Sequence, residues 1–258
     1  MGTREVLKDK VVLITGSTGI AAATAELAVA EGARVFAASR TAEHGEELAR
    51  KTGCTFIQAD LVQPDAAAKV VGRLDRLDAL FNVAGISGRK FGDGPLHECT
   101  EEGWDVTLDT NVKSMFLMCK AALVKMLAQP VAPNGLRGTI LNMSSVLGFS
   151  PQADHFSTHA YAASKGAILA MSKSMAAYYA GEKIRVNVIA PALVRTPMSA
   201  RAQADPVIQQ LMKTKQPLAE EMLDPDDVAR AAIFLLGDDS RRITGDTLVV
   251  DAGWSVSG

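Results

Sequence analysis

The chain has 258 residues, 48% of them hydrophobic and 22% charged, with a formal net charge of −2 at pH 7. That length and apolar content suit one α/β domain with a sizeable core, and the near-neutral charge removes any electrostatic case for nucleic acid or an anionic membrane surface. Cys54, Cys99 and Cys119 are odd in number, widely spaced and free of any CxxC, so they read as reduced thiols of a cytoplasmic protein, with no disulfide framework and no metal site. The polar stretch Met1 to Lys10 is not read as a signal peptide, and no apolar run approaches the roughly 18 residues of a membrane span.

The predicted elements alternate. Val11 to Ile14 is a short β-branched strand ending in Thr15-Gly16, Ala21 to Glu31 a helix stopped by Gly32, and Arg34 to Ala38 a second strand. This is a βαβ unit, the crossover that parallel strands require. Thr41 to Lys51 is helical, Thr55 to Ile57 a strand, Pro64 to Arg73 a short helix and Ala79 to Phe81 a strand. Glu101 to Ala128 reads as one long helix or two merging, and Thr139 to Met143 as a strand. A helix around Tyr161 to Tyr179, a strand at Arg185 to Ala190 and a helix at Pro206 to Gln216 follow. Asp224 caps a helix at Pro225 to Leu236, and Thr247 to Val250 closes as a strand. Strands written as continuous apolar runs are buried on both faces, so the fold class is α/β, a doubly wound parallel sheet with ligands at the carboxyl ends of its strands.

Polar and glycine features fall in register at those ends. They are Gly16 and Gly19 after the first strand, Ser39 and Arg40 after the second and Asp60 after the third. Asn82-Val83-Ala84-Gly85 ends the fourth, Ser144 and Ser145 the fifth, and Pro191 the sixth. Tyr161 and Lys165 stand four residues apart in a helix-tolerant segment, which places them on one face a turn apart. A free tyrosine, with a pKa of about 10, is a poor base at neutral pH, and a fixed cation nearby favours the phenolate.

The ordered set Thr15-Gly16-Ser17-Thr18-Gly19-Ile20-Ala21, Asp60-Leu61, Asn82-Val83-Ala84-Gly85, Asn111-Val112, Asn142 to Ser145, Tyr161 to Lys165, Asn187 to Pro191 and Thr244-Gly245 to Gly253 resembles the short-chain dehydrogenase/reductase family over essentially the whole chain. The resemblance implies a Rossmann-type sheet of about seven strands with helices on both faces in a single domain, with a substrate lid at about residues 193–222. It implies a catalytic tetrad: Tyr161 as acid/base, Lys165 lowering its pKa and binding the nicotinamide ribose, Ser145 on the substrate oxygen, and Asn111 in the proton relay with Lys165. Ser144 reads as a structural hydroxyl at the strand end. The cofactor would lie along Gly16, Ser17, Thr18, Gly19, Ile20, Ser39, Arg40, Asp60, Leu61, Asn82, Ala84, Gly85, Tyr161, Lys165, Pro191, Val194 and Thr196. NAD-using relatives place an acidic residue at the end of the second strand; Ser39-Arg40 here points to NADP, with NAD possible.

The implied function is interconversion of a ketone and a secondary alcohol by hydride transfer, in a homotetramer or homodimer built on the apolar helix Val112 to Leu127. The same fold as a non-catalytic nucleotide-binding regulator or scaffold is the competing reading. Enoyl reduction fits less well, because relatives that perform it usually space tyrosine and lysine more widely. The substrate pocket, from Val146 to His159, Leu193 to Lys215 and Trp254, reads as mostly apolar. The chain departs from the family pattern in its first loop, where two residues rather than three separate Gly16 from Gly19 and Ala21 takes the place of a third glycine. The expectation is that this loop still binds pyrophosphate, in an altered register and with somewhat weakened affinity. Val83, Ala192 and Ala252 also replace usual family residues, and the segment between Ser145 and Tyr161 is longer than usual.

Overall fold

A computed structural model describes residues 5–257. Seven strands form one fully parallel sheet: β1 (Val11–Thr15), β2 (Arg34–Ser39), β3 (Thr55–Gln58), β4 (Ala79–Asn82), β5 (Gly138–Met143), β6 (Ile184–Pro191) and β7 (Thr247–Val250). Their order across the sheet is β3-β2-β1-β4-β5-β6-β7. β1, β4, β5 and β6 are buried along their whole length, as their unbroken apolar runs require. The chain leaves β1 outward to β2 and β3, then returns to β4 on the other side of β1. That reversal opens a crevice at the carboxyl ends of β1 and β4.

The helices lie in two layers. On one face α1 (Ile20–Ala30), α2 (Ala42–Thr52) and α9 (Pro225–Leu236) pack with Ile14, Phe81, Leu141 and Ile189. On the other, α3 (Ala66–Gly72), α5 (Ser114–Ala128) and α6 (His159–Tyr179) pack with Leu13, Leu80, Ile140 and Val186. Pro225 at the first helical position and a reciprocal Asp224–Asp227 capping box start α9 as the sequence indicates.

The stretch expected as one long helix or two is continuous but irregular. α4 (Glu101–Leu108) passes through a π-helical turn, Asp109–Lys113, into α5. Asn111 sits inside that turn, the kind of insertion that often marks a functional position. A short helix absent from the sequence reading, α7 (Ala200–Ala204), precedes α8 (Pro206–Lys215). Together they carry a third, small apolar cluster in which Ala202, Ile208, Met212 and Met222 close over Val146 and Trp254. Among the described residues no helix is long and apolar enough to cross a membrane.

Candidate active site

The strand ends carry the expected residues into the crevice from both sides. α1 begins at Gly19 with no side-chain cap and no acidic residue in its first turn, so its leading N–H groups remain available to an anion. Gly16 and Gly19 both have positive φ, at 103° and 55°. A Cβ at Gly19 would lie 2.9 Å from the Thr196 methyl, so this loop and the segment after β6 approach each other closely. The hydroxyl of Ser39 donates to that of Ser17 at 2.9 Å, tying the glycine loop to the end of β2. Arg40, next to it, is exposed and makes no ion pair among the described residues.

α6 carries Tyr161 and Lys165 along the carboxyl end of β5. Lys165 is only 4% exposed, and its Nζ donates to the Met143 carbonyl at 2.9 Å. Burial pulls its pKa from 10.5 down to about 8. Its ammonium lies 5.4 Å from the centre of the Tyr161 ring. Ser144 donates to the Lys165 carbonyl at 2.9 Å, which gives that serine the structural role read from the sequence. Ser145, also buried, accepts from the Leu147 N–H and lies 3.4 Å from the Pro191 carbonyl. Asn111 accepts from the Ile86 N–H at 2.8 Å and donates to the Ile86 carbonyl and the Ser164 hydroxyl, each at 3.0 Å. Ser164 in turn donates to the Tyr161 carbonyl at 2.7 Å. A Cβ at Gly85 would lie 2.9 Å from Asn111 Oδ1 and 3.9 Å from Lys165 Nζ. Any side chain at Gly85 would therefore displace the Asn111 amide, which is why glycine stands there. The tetrad residues and the cofactor-side glycines lie at the same strand ends, and the positive-φ glycines with the uncapped start of α1 fit the pyrophosphate of a dinucleotide.

The structure adds detail to five of the sequence readings. The expectation that Lys165 lowers the tyrosine pKa does not hold for the chain by itself. Burial raises the Tyr161 pKa above 10, and the opposing influence is the Ser145 hydroxyl. The physical reason is the loss of water around the phenol, while the ammonium lies against the face of the ring. Asn82 is fully buried and turned away from the crevice. Its amide donates to Asn142 Oδ1 at 2.9 Å and lies 3.3 Å from Cys119 Sγ, so only its backbone remains to meet a cofactor. The side chain of Leu61 likewise belongs to the core beneath α3. Val194 is also buried, pairing through its backbone with Leu223, whereas the Asp60 carboxylate stays on its own turn, accepting from Val62 N–H and Gln63.

One residue with a large part in the site escaped the sequence reading. Asp93 is 5% exposed, and its two carboxylate oxygens accept the backbone N–H groups of Ala160 at 3.0 Å and Tyr161 at 2.9 Å. It caps α6 from a loop 67 residues away, where the neighbouring Thr158 makes no side-chain cap. No local pattern could have revealed a cap drawn from so far along the chain.

A family model described as enoyl-(acyl carrier protein) reductase matches residues 14–255. A dehydrogenase/reductase SDR family member 6 of Aquarana catesbeiana is 35% identical over 95% of this chain and 97% of its own length. A D-threitol dehydrogenase of Mycolicibacterium smegmatis is 34% identical over 97% of this chain and 94% of its own. A solved short-chain type dehydrogenase/reductase from Mycobacterium ulcerans superposes with a TM-score of 0.86 at 25% identity, covering 97% of this chain and 91% of that one. The chain belongs to the short-chain dehydrogenase/reductase family. It is an oxidoreductase acting between CH–OH and C=O, in a family that generally uses NAD or NADP.

Lys165 gives the site a stability signature. Its folded pKa of about 8 lies below the ordinary 10.5, so between those values the unfolded chain binds more protons and stability rises with pH. Below pH 8 the buried charge costs its full amount, roughly 3 kcal/mol, and that cost is relieved as pH rises from 8 toward 10.5. Denaturant titrations should show wild type gaining on Lys165→Met across this window, and parallel pH curves for the two proteins would reject the assignment.

Proposed function

We propose that this chain is an NADP(H)-dependent oxidoreductase that interconverts a ketone and a secondary alcohol, with Tyr161 as the acid/base. The observation that carries the reading is the convergence of Tyr161, Lys165, Ser145 and Asn111 on one crevice at the carboxyl ends of β4 and β5. When bound, the nicotinamide supplies or accepts the hydride. The chain's own groups manage the oxygen. The Ser145 hydroxyl and the Tyr161 phenol act as donors to the substrate oxygen, where charge develops in reduction. Tyr161 passes its proton to that oxygen, or takes it back in the oxidative direction. The phenol is protonated at neutral pH, the form needed to donate, and burial shifts its pKa further up. Lys165 spends one N–H on Met143 and keeps two for the ribose side of the site. Asn111, held on both sides by Ile86, keeps Ser164 and the first turn of α6 in place.

The preference for NADP rests on the end of β2. No carboxylate stands there to repel a 2′-phosphate, and the exposed guanidinium of Arg40 is available to bind one beside the paired hydroxyls of Ser17 and Ser39. Residues 193–222 serve as the substrate lid, a role supported by their separate apolar cluster over Val146 and Trp254. Self-association as a dimer or tetramer is supported by α5, where Phe116, Val124 and Leu127 stay 46%, 67% and 39% exposed on a helix whose other face is core. The three unpaired cysteines support a reducing, cytoplasmic setting.

Three outcomes are expected. Tyr161→Phe should keep cofactor affinity near wild type and lose about 100-fold or more in turnover; retention of more than about a tenth of the rate, with chemistry limiting, defeats the role. Calorimetry should give tighter binding of NADP than NAD, with the difference shrinking in Arg40→Ala; equal affinities, or no change in the variant, defeat the cofactor assignment. Light scattering at micromolar concentration should return the mass of at least a dimer, and a monomeric mass rejects the assembly.

A further inference from the structure

At the mouth of the crevice two arginines from different elements meet on one atom. Arg89, in the loop after β4, donates to the His155 carbonyl at 3.1 Å, and Arg201, on α7, donates to the same carbonyl at 3.0 Å. His155 lies in the long segment that leads into the tyrosine helix. Arg201 also lies 6.0 Å from the centre of the Phe156 ring, and Phe156 meets Trp254 edge to face at 5.6 Å. The pair therefore sits on the apolar wall that the sequence assigns to the substrate.

Neither guanidinium makes an ion pair among the described residues. Arg195, in the same lid segment, shows the contrast: Glu221 holds it at 2.9 Å and Asp224 at 3.2 Å. The acid that acts on Arg89 is Asp93, and both its oxygens are committed to the backbone of α6. Asp154, near in sequence, accepts from Gln152 instead. Each guanidinium has five N–H donors, and the His155 carbonyl takes one from each. Holding that carbonyl needs a donor and not a charge, so two mutually repelling cations with only the Asp93 charge acting against them, and on Arg89 alone, exceed what a loop clamp requires.

We propose that Arg89 and Arg201 form a subsite for an oxyanion, a carboxylate or phosphate carried by the substrate, so that the oxidoreductase acts on an anionic ketone or alcohol. This rests on the reaction proposed above. The apolar wall takes the carbon chain, and the remaining N–H groups of the two forks take the anion in charge-assisted hydrogen bonds. Because Arg201 rides on the lid, an anion bound there also draws the lid toward the loop after β4. The subsite determines which substrate is chosen and leaves the proton transfer at Tyr161 unchanged.

The test is steady-state reduction with NADPH of short straight-chain keto acids, each beside its methyl ester, and of dihydroxyacetone phosphate beside dihydroxyacetone. Wild type is compared with an R89Q/R201Q double variant, in which glutamine can still donate to the His155 carbonyl but carries no charge. In wild type the charged member of one pair should be preferred by at least about tenfold in kcat/KM, mostly through KM. The pair that responds identifies the anion. The preference should fall to within about threefold in the double variant and return in part in R89K/R201K. A wild type that uses the neutral partner equally well, or a preference that survives in the double variant, overturns the subsite. Should no ketone of either kind be reduced, calorimetry with the same acids separates the two readings. Binding lost in the double variant keeps the subsite and rejects the reductase reading, and no binding in wild type rejects the subsite.

Discussion

The site depends on how helix α6 is fastened to the end of β5. The Lys165 ammonium donates to the carbonyl of Met143, and the Ser144 hydroxyl donates back to the carbonyl of Lys165. A third attachment follows at Gly148, where a Cβ would lie 3.0 Å from the backbone of both Lys165 and Gly166. Three attachments within one turn of helix set where Tyr161 stands relative to Ser145. The long segment from Pro151 to Thr158 therefore does not have to set that distance. It can carry extra residues without moving the two hydroxyl groups, which is how an enlarged substrate loop coexists with a site of the expected arrangement.

That fastening is made with a charge, and the charge is expensive. Lys165 is buried, one carbonyl is its hydrogen-bond partner, and its pKa falls to about 8 in consequence. Two further contacts hold the helix that bears this charge. Asp93 fixes the first turn of α6 through two backbone N–H groups, and Asn111 reaches Ser164 from a π turn that displaces the helix register by one residue. Both act on the same turn as Tyr161. A regular α-helix through Asp109–Lys113 would have turned Asn111 to another face, so the irregular turn is part of how the site is built and not a flaw in the helix.

The parallel sheet and the shared helix face of Tyr161 and Lys165 were legible because both follow short-range rules, whereas Ser145 and Asn111 were read only through the family resemblance. Apolar runs separated by helical stretches dictate a parallel sheet, and residues four apart on a helix share a face whatever lies beyond. What stayed hidden depends on distant contacts. Asn82 reads as a crevice residue because it ends a strand, yet its side chain faces Asn142 and Cys119, and which way a strand-end side chain points is settled by the helix packed on that face. Asp93 lies in a loop with no periodicity at all. The direction of the Tyr161 pKa was misread for a related reason. Sequence places a cation near the phenol but says nothing of the water that both lose on burial, and here that loss outweighs the Ser145 hydrogen bond at the phenol.

The first loop shows how a departure from the family pattern can be absorbed where it occurs. With one residue fewer, Ser17 lies within hydrogen-bond reach of Ser39, so the loop is anchored to β2 and not extended over the crevice. The methyl of Ala21 replaces the hydrogen of a glycine at the point where α1 meets the end of β1. A Cβ at Gly16 would lie 3.1 Å from that methyl, tighter than ordinary contact, so the space Ala21 needs is the space that Gly16 leaves free. Ala21 is itself buried and packs in the layer between α1 and the sheet. The added methyl therefore goes to helix–strand packing and not into the crevice. The groups that could meet an anion remain at this loop: two glycines with positive φ, and the uncapped first turn of α1 behind them. The shortened loop changes the route the backbone takes to the helix more than the groups it presents there, which is why the departure does not by itself argue for a retired binding site.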